Sequence, residues 1–133
     1  MRVSWPIKWM GSVFARGGDR GAVIERTRMV VSGTILQDHQ DEIAEWQVKT
    51  FPEQELAGKL AHLVKEAKEL QQKPNDIEEW ADVLNLLLGS AAMAGLDVYE
   101  LLMAGRMKFA IVRERKWGPM EPDGTYHHVQ EGK

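Results

Sequence analysis

The sequence has no cysteine among its 133 residues, which excludes a disulfide framework and a thiolate-ligated metal site. Its formal net charge is only -3, which argues against a surface built to bind nucleic acid or a membrane. The longest apolar run, residues 84–96, is too short and too rich in small residues to cross a bilayer. Lys8 interrupts the N-terminal stretch that could serve as a signal peptide. These absences indicate a soluble, cytoplasmic protein whose partners include neither membrane nor nucleic acid.

Residues 1–33 differ from the rest of the chain in charge and in periodicity. They carry six basic and two acidic residues, although the whole chain is acidic. The segment RGGDRG at 16–21 is a flexible break, and no helical period continues across it. We therefore predict an irregular N-terminal arm, poorly ordered or loosely docked, ahead of one domain over residues 34–133. The alternative is an arm that reaches a neighbouring subunit or an anionic ligand.

The rest of the chain has a helical pattern. The predicted helices cover about 34–50, 53–73, 75–95 and 97–117. Thr34 is the expected cap of the first helix, and Phe51-Pro52 ends it. Asn75 is the expected cap of the third helix, and Gly95 ends it. Glycines and prolines beyond the fourth helix indicate a loop-like tail. The pattern predicts an all-α fold in which short links join antiparallel neighbours.

The third helix is apolar on most of its circumference, which is typical of a helix at the centre of a bundle. Leu84, Leu87 and Leu88 occupy faces that three other helices of one subunit could hardly all cover. Leaving them bare would create a large apolar patch. We therefore predict a four-helix bundle completed by homo-oligomerisation, with a dimer as the smallest unit and a tetramer as an open alternative. Trp80 is expected to face the core.

Two acidic pairs stand on consecutive predicted helices. Glu66 and Glu69 lie three residues apart on the second helix, and Glu79 and Asp82 lie three apart on the third, so each pair shares one helical face. Because a tight turn joins the two helices, the pairs are expected to meet at a shared seam. Four ionised carboxylates there would repel one another and be costly to desolvate. A hard cation such as Mg²⁺, which takes carboxylate and phosphate oxygens, would relieve that repulsion.

The acidic pairs can also be interpreted without a metal. Glu79 lies in the first turn of its helix, where the helix dipole favours a carboxylate. The second-helix pair has Lys65 and Lys68 beside it, which would make it ordinary surface charge. On this reading the chain is a non-catalytic helical oligomeric interaction protein with solvated acidic patches. Asp82 favours the metal, since it lies past the first turn among apolar residues.

Four segments of the sequence, taken in their order along the chain, form a recognisable pattern. They are HLVKEAKELQQKP (62–74), EEWADVLNLLL (78–88), RERKW (113–117) and DGTYHHV (123–129). Together they resemble the all-α MazG-like nucleoside triphosphate pyrophosphohydrolases, whose signature is Glu-x-x-Glu, a spacer, and Glu-x-x-Asp. The likeness runs from about Ile43 to Val129 and is nearest to the phage and bacterial branch described as dATP/dGTP pyrophosphohydrolases. Val112 departs from that branch, which usually has an Asn at this position.

The resemblance implies an enzyme that hydrolyses a (deoxy)nucleoside triphosphate to the monophosphate and pyrophosphate and so shapes the nucleotide pool. The substrates it implies are purine dNTPs, dGTP or dATP, and the cofactor is Mg²⁺, with Mn²⁺ as a substitute. The implied metal ligands are Glu66, Glu69, Glu79 and Asp82. Glu69 and Glu66 are the implied catalytic residues, and Glu69 would orient the attacking water. A phage-encoded enzyme of this kind would act in the host cytoplasm.

Two further sets of residues are candidates for holding the nucleotide. The predicted phosphate-binding residues are Lys108, Arg113, Arg115 and Lys116, although a helix C-terminus favours cations in any case. The predicted nucleotide-binding residues are Trp46, Gln47, Phe51 and Asn85. Trp46 and Phe51 would form a flat slot for a purine, and Gln47 would reach the edge of the base. Asn85 would hold the ligand or form a hydrogen bond between helices.

Overall fold

The computed structural model describes residues 35–130, and these form two compact units that divide after Val98. The first unit contains α1 (Leu36–Thr50), α2 (Leu56–Gln72) and α3 (Ile77–Met93), and α4 (Val98–Glu114) begins at its end. Among the described residues, the regular structure is helical apart from one isolated β-bridge. The predicted all-α fold of four helices is thus confirmed. The predicted arm over residues 1–33 and the predicted cap Thr34 lie outside the described residues.

The third helix is the centre of the first unit, because α3 packs against both α1 and α2. Two glutamines of α1 fasten it to the second half of α3. Gln40 is fully buried, and its Nε2 donates to the carbonyls of Leu88 (3.1 Å) and Leu96 (2.9 Å). Gln47 Nε2 donates to the carbonyl of Gly89 (3.0 Å). Buried amides are stable only when their donors are satisfied, so these bonds fix the position of α1 along α3.

The link between α1 and α2 is longer than the sequence predicts. The α1 helix ends at Thr50, where the Phe51 N–H donates to the Gln47 carbonyl (2.8 Å). A turn follows, closed by the Gln54 N–H on the Phe51 carbonyl (3.1 Å). Pro52 stands inside that turn and has no N–H to continue a helix. The α2 helix therefore begins at Leu56, three residues later than predicted.

The start of α3 corrects one expectation and its end confirms another. The N-cap is Asp76, whose Oδ1 accepts from the Glu78 N–H (3.0 Å); the prediction of Asn75 was wrong by one residue. The Asp76 N–H closes a turn on the Lys73 carbonyl, which places Asn75 inside that turn. Gly95 ends the helix as predicted, with a positive φ of 79°. The paired bonds from Gly95 and Leu96 back to the last turn form a Schellman motif.

The second unit, residues 99–130, contains nearly all of α4 and the chain that follows it. The segment after α4 turns back on itself, with an antiparallel bridge between Trp117 and His128. The Gly118 N–H donates to the His127 carbonyl (2.9 Å) beside that bridge. The tail predicted to be loop-like is therefore an ordered turn-back without a regular strand.

Several large apolar side chains of the first unit remain exposed. Leu88 and Ala91 of α3 are buried, but Leu84 and Leu87 are 43% and 46% exposed. Trp80 was expected to face the core and is instead 56% exposed, with its indole Nε1 donating to the Pro74 carbonyl (3.0 Å). The hydrogen bond at the helix start explains this orientation, because an indole N–H needs a partner that the apolar core does not offer.

At Gly89, α3 packs closely against both other helices of the first unit. A Cβ placed there would lie 2.6 Å from Gln47 Oε1, 3.1 Å from Ile43 Cγ2 and 3.2 Å from Lys59 Cε. The first distance is a clash and the other two are tight contacts. Glycine is therefore required here for close packing of α3 against α1 and α2.

We expect Gly89→Ala to lower the free energy of unfolding by about 1–3 kcal/mol, the usual cost of overpacking. Gly58→Ala is the matched control, because a Cβ at Gly58 meets only the Gln54 side chain at 3.9–4.0 Å. Gly58 lies in the first turns of α2, and an alanine there should stabilise the protein by about 0.5–1 kcal/mol. Urea unfolding of both variants measures the two effects. Equal stability of the two variants would contradict the close packing at Gly89.

Candidate metal centre

Three of the four predicted metal ligands converge where α2 packs against α3. Glu66, Glu79 and Asp82 each offer a carboxylate oxygen, and these oxygens all lie within 4.8 Å of one another. The Glu66 and Glu79 side chains are only 15% and 13% exposed, whereas Asp82 is exposed. Solvated acidic patches would not place two of their carboxylates in the protein interior, so this arrangement favours a ligand over ordinary surface charge.

Glu69 lies beside this group and interacts with Glu66. Burial raises the pKa of the Glu66 carboxyl, and a hydrogen bond shared with Glu69 together with the charges of Glu69 and Asp82 raises this pKa further. The hydrogen bond from His62 acts in the opposite direction. Ionising Glu66 is therefore less favourable than ionising a free carboxyl, and positive charge at the site would offset this difference.

Two carboxylate oxygens at the centre are buried, and no hydrogen-bond donor among residues 35–130 reaches them. They are Glu66 Oε2 and Glu79 Oε2. The partner oxygens do have neighbours: Glu66 Oε1 lies 3.2 Å from His62 Nε2, and Glu79 Oε1 lies 3.9 Å from Lys73 Nζ. Buried acceptors without a donor are rare in folded proteins, because desolvation of such a group is not repaid. Free carboxylate oxygens of this kind are the ligands that Mg²⁺ and Mn²⁺ prefer, so the residues fit a divalent cation.

A cavity of about 420 Å³ opens in the same unit, and it brings together three of the four predicted nucleotide-binding residues. It is lined by Ile43, Trp46, Phe51, Gln54, Lys59, His62, Asn85 and Leu86. The rings of Trp46 and Phe51 meet edge to face, with centroids 5.3 Å apart. The volume is within the range of small-molecule sites, and the walls combine apolar surface with a few polar groups. The cavity is therefore suited to a flat heteroaromatic ring.

Gln47, the fourth predicted nucleotide-binding residue, does not line this cavity. It is buried, and its amide nitrogen is committed to the Gly89 carbonyl. Its Oε1 is buried without a partner among the described residues. Asn85 lines the cavity and also bonds α1 to α3, with its Oδ1 2.7 Å from His39 Nε2.

Three polar residues near the site were missed by the sequence reasoning: His39, Lys59 and His62. A signal for two of them was present. Lys59, His62 and Glu66 stand at intervals of three and four residues, so they share the face of α2 that carries the acidic pair. Extending that face one and two turns toward the N-terminus would have identified both cavity-lining residues. His39 carries no comparable signal, since its partner Asn85 is 46 residues away.

The predicted phosphate-binding residues all belong to the second unit. Lys108 and Arg113 lie on α4, and Arg115 and Lys116 follow it directly. The Arg113 guanidinium lies over the Phe109 ring, 5.8 Å from its centroid. Val112 is partly buried on the same helix.

No single helix within residues 35–130 is long and apolar enough to cross a membrane, although α3 and α4 taken together as a broken pair reach the required length and composition.

Comparison with known proteins identifies the family. The family described as dATP/dGTP pyrophosphohydrolase matches residues 39–132. A dATP/dGTP diphosphohydrolase of Salmonella phage PMBT28 is 38% identical over 108 residues, which is 80% of this chain but only 36% of that protein. The chain thus spans about a third of the length of this relative. A dATP/dGTP diphosphohydrolase of Cyanophage S-2L is 37% identical over 92 residues, 68% of this chain and 84% of that protein.

A solved structure is similar to this chain in fold as well as in sequence. It is the Cyanophage S-2L MazG-like pyrophosphohydrolase bound to dGDP and three catalytic Mn²⁺ ions per active site. The two chains superpose with a TM-score of 0.60 at 36% sequence identity, covering 73% of this chain and 99% of the other. Because the family match spans most of the chain and includes both acidic pairs on α2 and α3, this chain belongs to the dATP/dGTP pyrophosphohydrolase family.

Proposed function

We propose that this protein hydrolyses purine deoxynucleoside triphosphates, dGTP or dATP, to the monophosphate and pyrophosphate, and so shapes the nucleotide pool. The observation that carries the proposal is the convergence of Glu66, Glu79 and Asp82, with two buried carboxylate oxygens that no donor within residues 35–130 reaches. Phage relatives named dATP/dGTP diphosphohydrolase and a structural neighbour bound to dGDP and Mn²⁺ support the same reaction.

The carboxylates of α2 and α3 would divide the work of the reaction. Glu66, Glu79 and Asp82 would hold divalent ions, Mg²⁺ with Mn²⁺ as a substitute, and Glu69 would complete the ligand set. Bound ions of this kind neutralise polyphosphate charge and make a coordinated water a better nucleophile. Glu69 would orient the attacking water and take its proton, and Glu66, which shares a hydrogen bond with Glu69, would hold Glu69 in position.

The register of α2 against α3 indicates how a bound nucleotide would be oriented along the two helices. Glu66 meets Glu79 and Asp82, and seven residues earlier Lys59 meets Gly89, so the two helices run antiparallel. Seven helical residues span about 10 Å, comparable to the distance from a nucleotide base to its α-phosphate. We place the base in the cavity near Trp46 and Phe51 and the phosphates at the carboxylates. We also propose that the basic residues of the second unit bind phosphate; these are Lys108, Arg113, Arg115 and Lys116.

Asp82→Asn tests the metal centre while preserving side-chain volume. Turnover should fall by at least roughly 100-fold, since losing a ligand removes more than the ten- to hundredfold typical of residues that support one. Wild-type protein should gain several degrees in melting temperature with saturating Mn²⁺, and the variant should lose most of that gain. Without metal the variant should be at least as stable, because one charge that opposes ionisation of Glu66 is gone.

Asp38→Asn is the matched control for Asp82→Asn, since Asp38 is exposed in the first turn of α1. It should retain both activity and the metal-dependent rise in melting temperature. Near-wild-type turnover of Asp82→Asn in saturating Mg²⁺ would show that the α3 pair does not hold the metal.

A panel of eight nucleoside triphosphates tests the substrate class. With Mg²⁺ or Mn²⁺, we expect pyrophosphate release to be faster from purine than from pyrimidine deoxynucleotides, because the Trp46–Phe51 cavity offers wide aromatic surface. Within the purines we expect dGTP to exceed dATP. Tenfold faster release from dCTP or dUTP than from either purine would contradict the assignment of the cavity to a purine while leaving the metal centre unaffected.

The exposed apolar residues of α2 and α3 support the proposal of a homodimer, with a tetramer of paired dimers as the larger form. Five of them are each 43–56% exposed, which is more large apolar surface than a monomer usually leaves bare: Leu60, Val64, Trp80, Leu84 and Leu87. Light scattering at micromolar concentration should report a dimer or tetramer. Leu87→Glu should shift the mass toward the monomer, whereas Val48→Glu, on α1, should not. A monomeric wild-type protein would contradict this proposal.

A further inference from the structure

Lys59 is an unusual lysine, because it is almost fully buried and no residue that the structure describes supplies a counter-charge. The residue is 5% exposed and lines the cavity next to Phe51. Among residues 35–130 its ammonium has no ion pair and no hydrogen bond; its nearest described partner is the Phe51 ring, with the centroid 5.9 Å away. Burial lowers the pKa of the Lys59 ammonium from its ordinary value. A buried cation with so little compensation is costly unless a ligand supplies an acceptor.

The position of Lys59 along α2 indicates which part of a nucleotide it meets. It shares one helical face with His62 and Glu66, at intervals of three and four residues. Glu66 belongs to the metal centre, and His62 lies between it and the cavity. A nucleotide whose phosphates are held at Glu66 would therefore extend its base, about 10 Å away, toward Lys59.

The chemistry of an ammonium makes it selective between the two purines. An ammonium offers three donors and no acceptor. Guanine presents two adjacent acceptors, O6 and N7, whereas adenine replaces O6 with an amino group that donates. A donor facing a donor in a buried site leaves both unsatisfied.

We propose that Lys59 is a specificity-determining residue that selects guanine over adenine by donating to O6 and N7 of the base. This proposal rests on the proposed function, since it assumes that the cavity holds the base of a triphosphate whose phosphates lie at the carboxylates. In this proposal Lys59 recognises the edge of the base, a role that the sequence analysis had predicted for Gln47.

Lys59 has one alternative role, in packing, and the experiment must distinguish this role from recognition of the base. Gln47 Oε1 is buried without a partner in the described part of the chain, and it lies on the same side of Gly89 as Lys59 Cε. A small rotation of Lys59 would bring its ammonium toward that oxygen. In that case Lys59 would support the packing of α1 on α3, and its removal would affect stability and all substrates alike.

The first measurement compares kcat/KM for dGTP and dATP in wild type and in Lys59→Met, which keeps the unbranched side chain up to the ε position and removes the ammonium. We expect Lys59→Met to lower kcat/KM for dGTP roughly ten- to hundredfold more than for dATP. Lys49→Met is the matched control, because Lys49 is an exposed lysine of α1 paired with Glu45. It should leave the ratio of the two substrates unchanged. A ratio in Lys59→Met within twofold of the wild-type value overturns the proposal.

The second measurement uses wild-type protein only and so does not depend on the folding of a variant. Deoxyinosine triphosphate keeps O6 and N7 but lacks the 2-amino group, whereas the 2,6-diaminopurine analogue keeps the 2-amino group and replaces O6 with an amino group. If Lys59 reads O6 and N7, dITP should be turned over like dGTP and the diaminopurine analogue like dATP. Rates that follow the 2-amino group, or a wild-type preference for dATP, overturn the proposal.

Failure of this inference is distinguishable from failure of the proposed function. If the reaction itself is wrong, no triphosphate releases pyrophosphate and Asp82→Asn has no activity to lose. If only the role of Lys59 is wrong, pyrophosphate release remains dependent on Asp82, while the order of the base analogues and the dGTP to dATP ratio are insensitive to Lys59.

Discussion

The burial of Glu66 and Glu79 where α2 meets α3 is the constraint on which the rest of the structure depends. Two neighbouring carboxylates, each with one buried oxygen that no donor in the described part of the chain reaches, are unstable by themselves. Their position is held by packing elsewhere, because Gln40 and Gln47 anchor α1 on α3 and Gly89 permits the close approach of α2. The folding energy of the helices thus maintains an arrangement of like charges that protonation or a bound cation would relieve. Such stored repulsion is what a binding site for metal and polyphosphate requires.

The features that follow from local periodicity could be predicted from sequence. The helical count, the central place of α3, the end of that helix at Gly95 and the convergence of the acidic residues are consequences of spacing at 3.6 residues per turn, together with one short link. The predicted starts of the helices were less accurate. Asn75 and Asp76 are both good caps, and the choice between them depends on the turn that Lys73 closes, which composition does not reveal.

The features that depend on contacts distant in sequence could not be predicted in the same way. Gln47 was expected to reach a ligand because it adjoins Trp46, but its amide is turned toward Gly89, 42 residues away. The bond between His39 and Asn85 is of the same kind. Trp80 turns outward because of a carbonyl in the preceding loop, against its apolar character. In each case one polar atom's need for a partner outweighs the hydrophobic pattern, and that need is visible only when the chain is folded.

One face of α2 joins the proposed base site to the proposed metal site on a single rigid element. This face carries Lys59, His62, Glu66 and Glu69. Its N-terminal end lies at an apolar cavity with a buried lysine, and its C-terminal end lies at a cluster of half-buried and exposed carboxylates. A helix is stiff over this length, so the separation between base and phosphate sites is fixed by the backbone rather than by loops. His62 contacts both ends, because it lines the cavity and hydrogen-bonds Glu66. A base that fits poorly at Lys59 would therefore shift the phosphates relative to the carboxylates, which links recognition of the base to the geometry of hydrolysis.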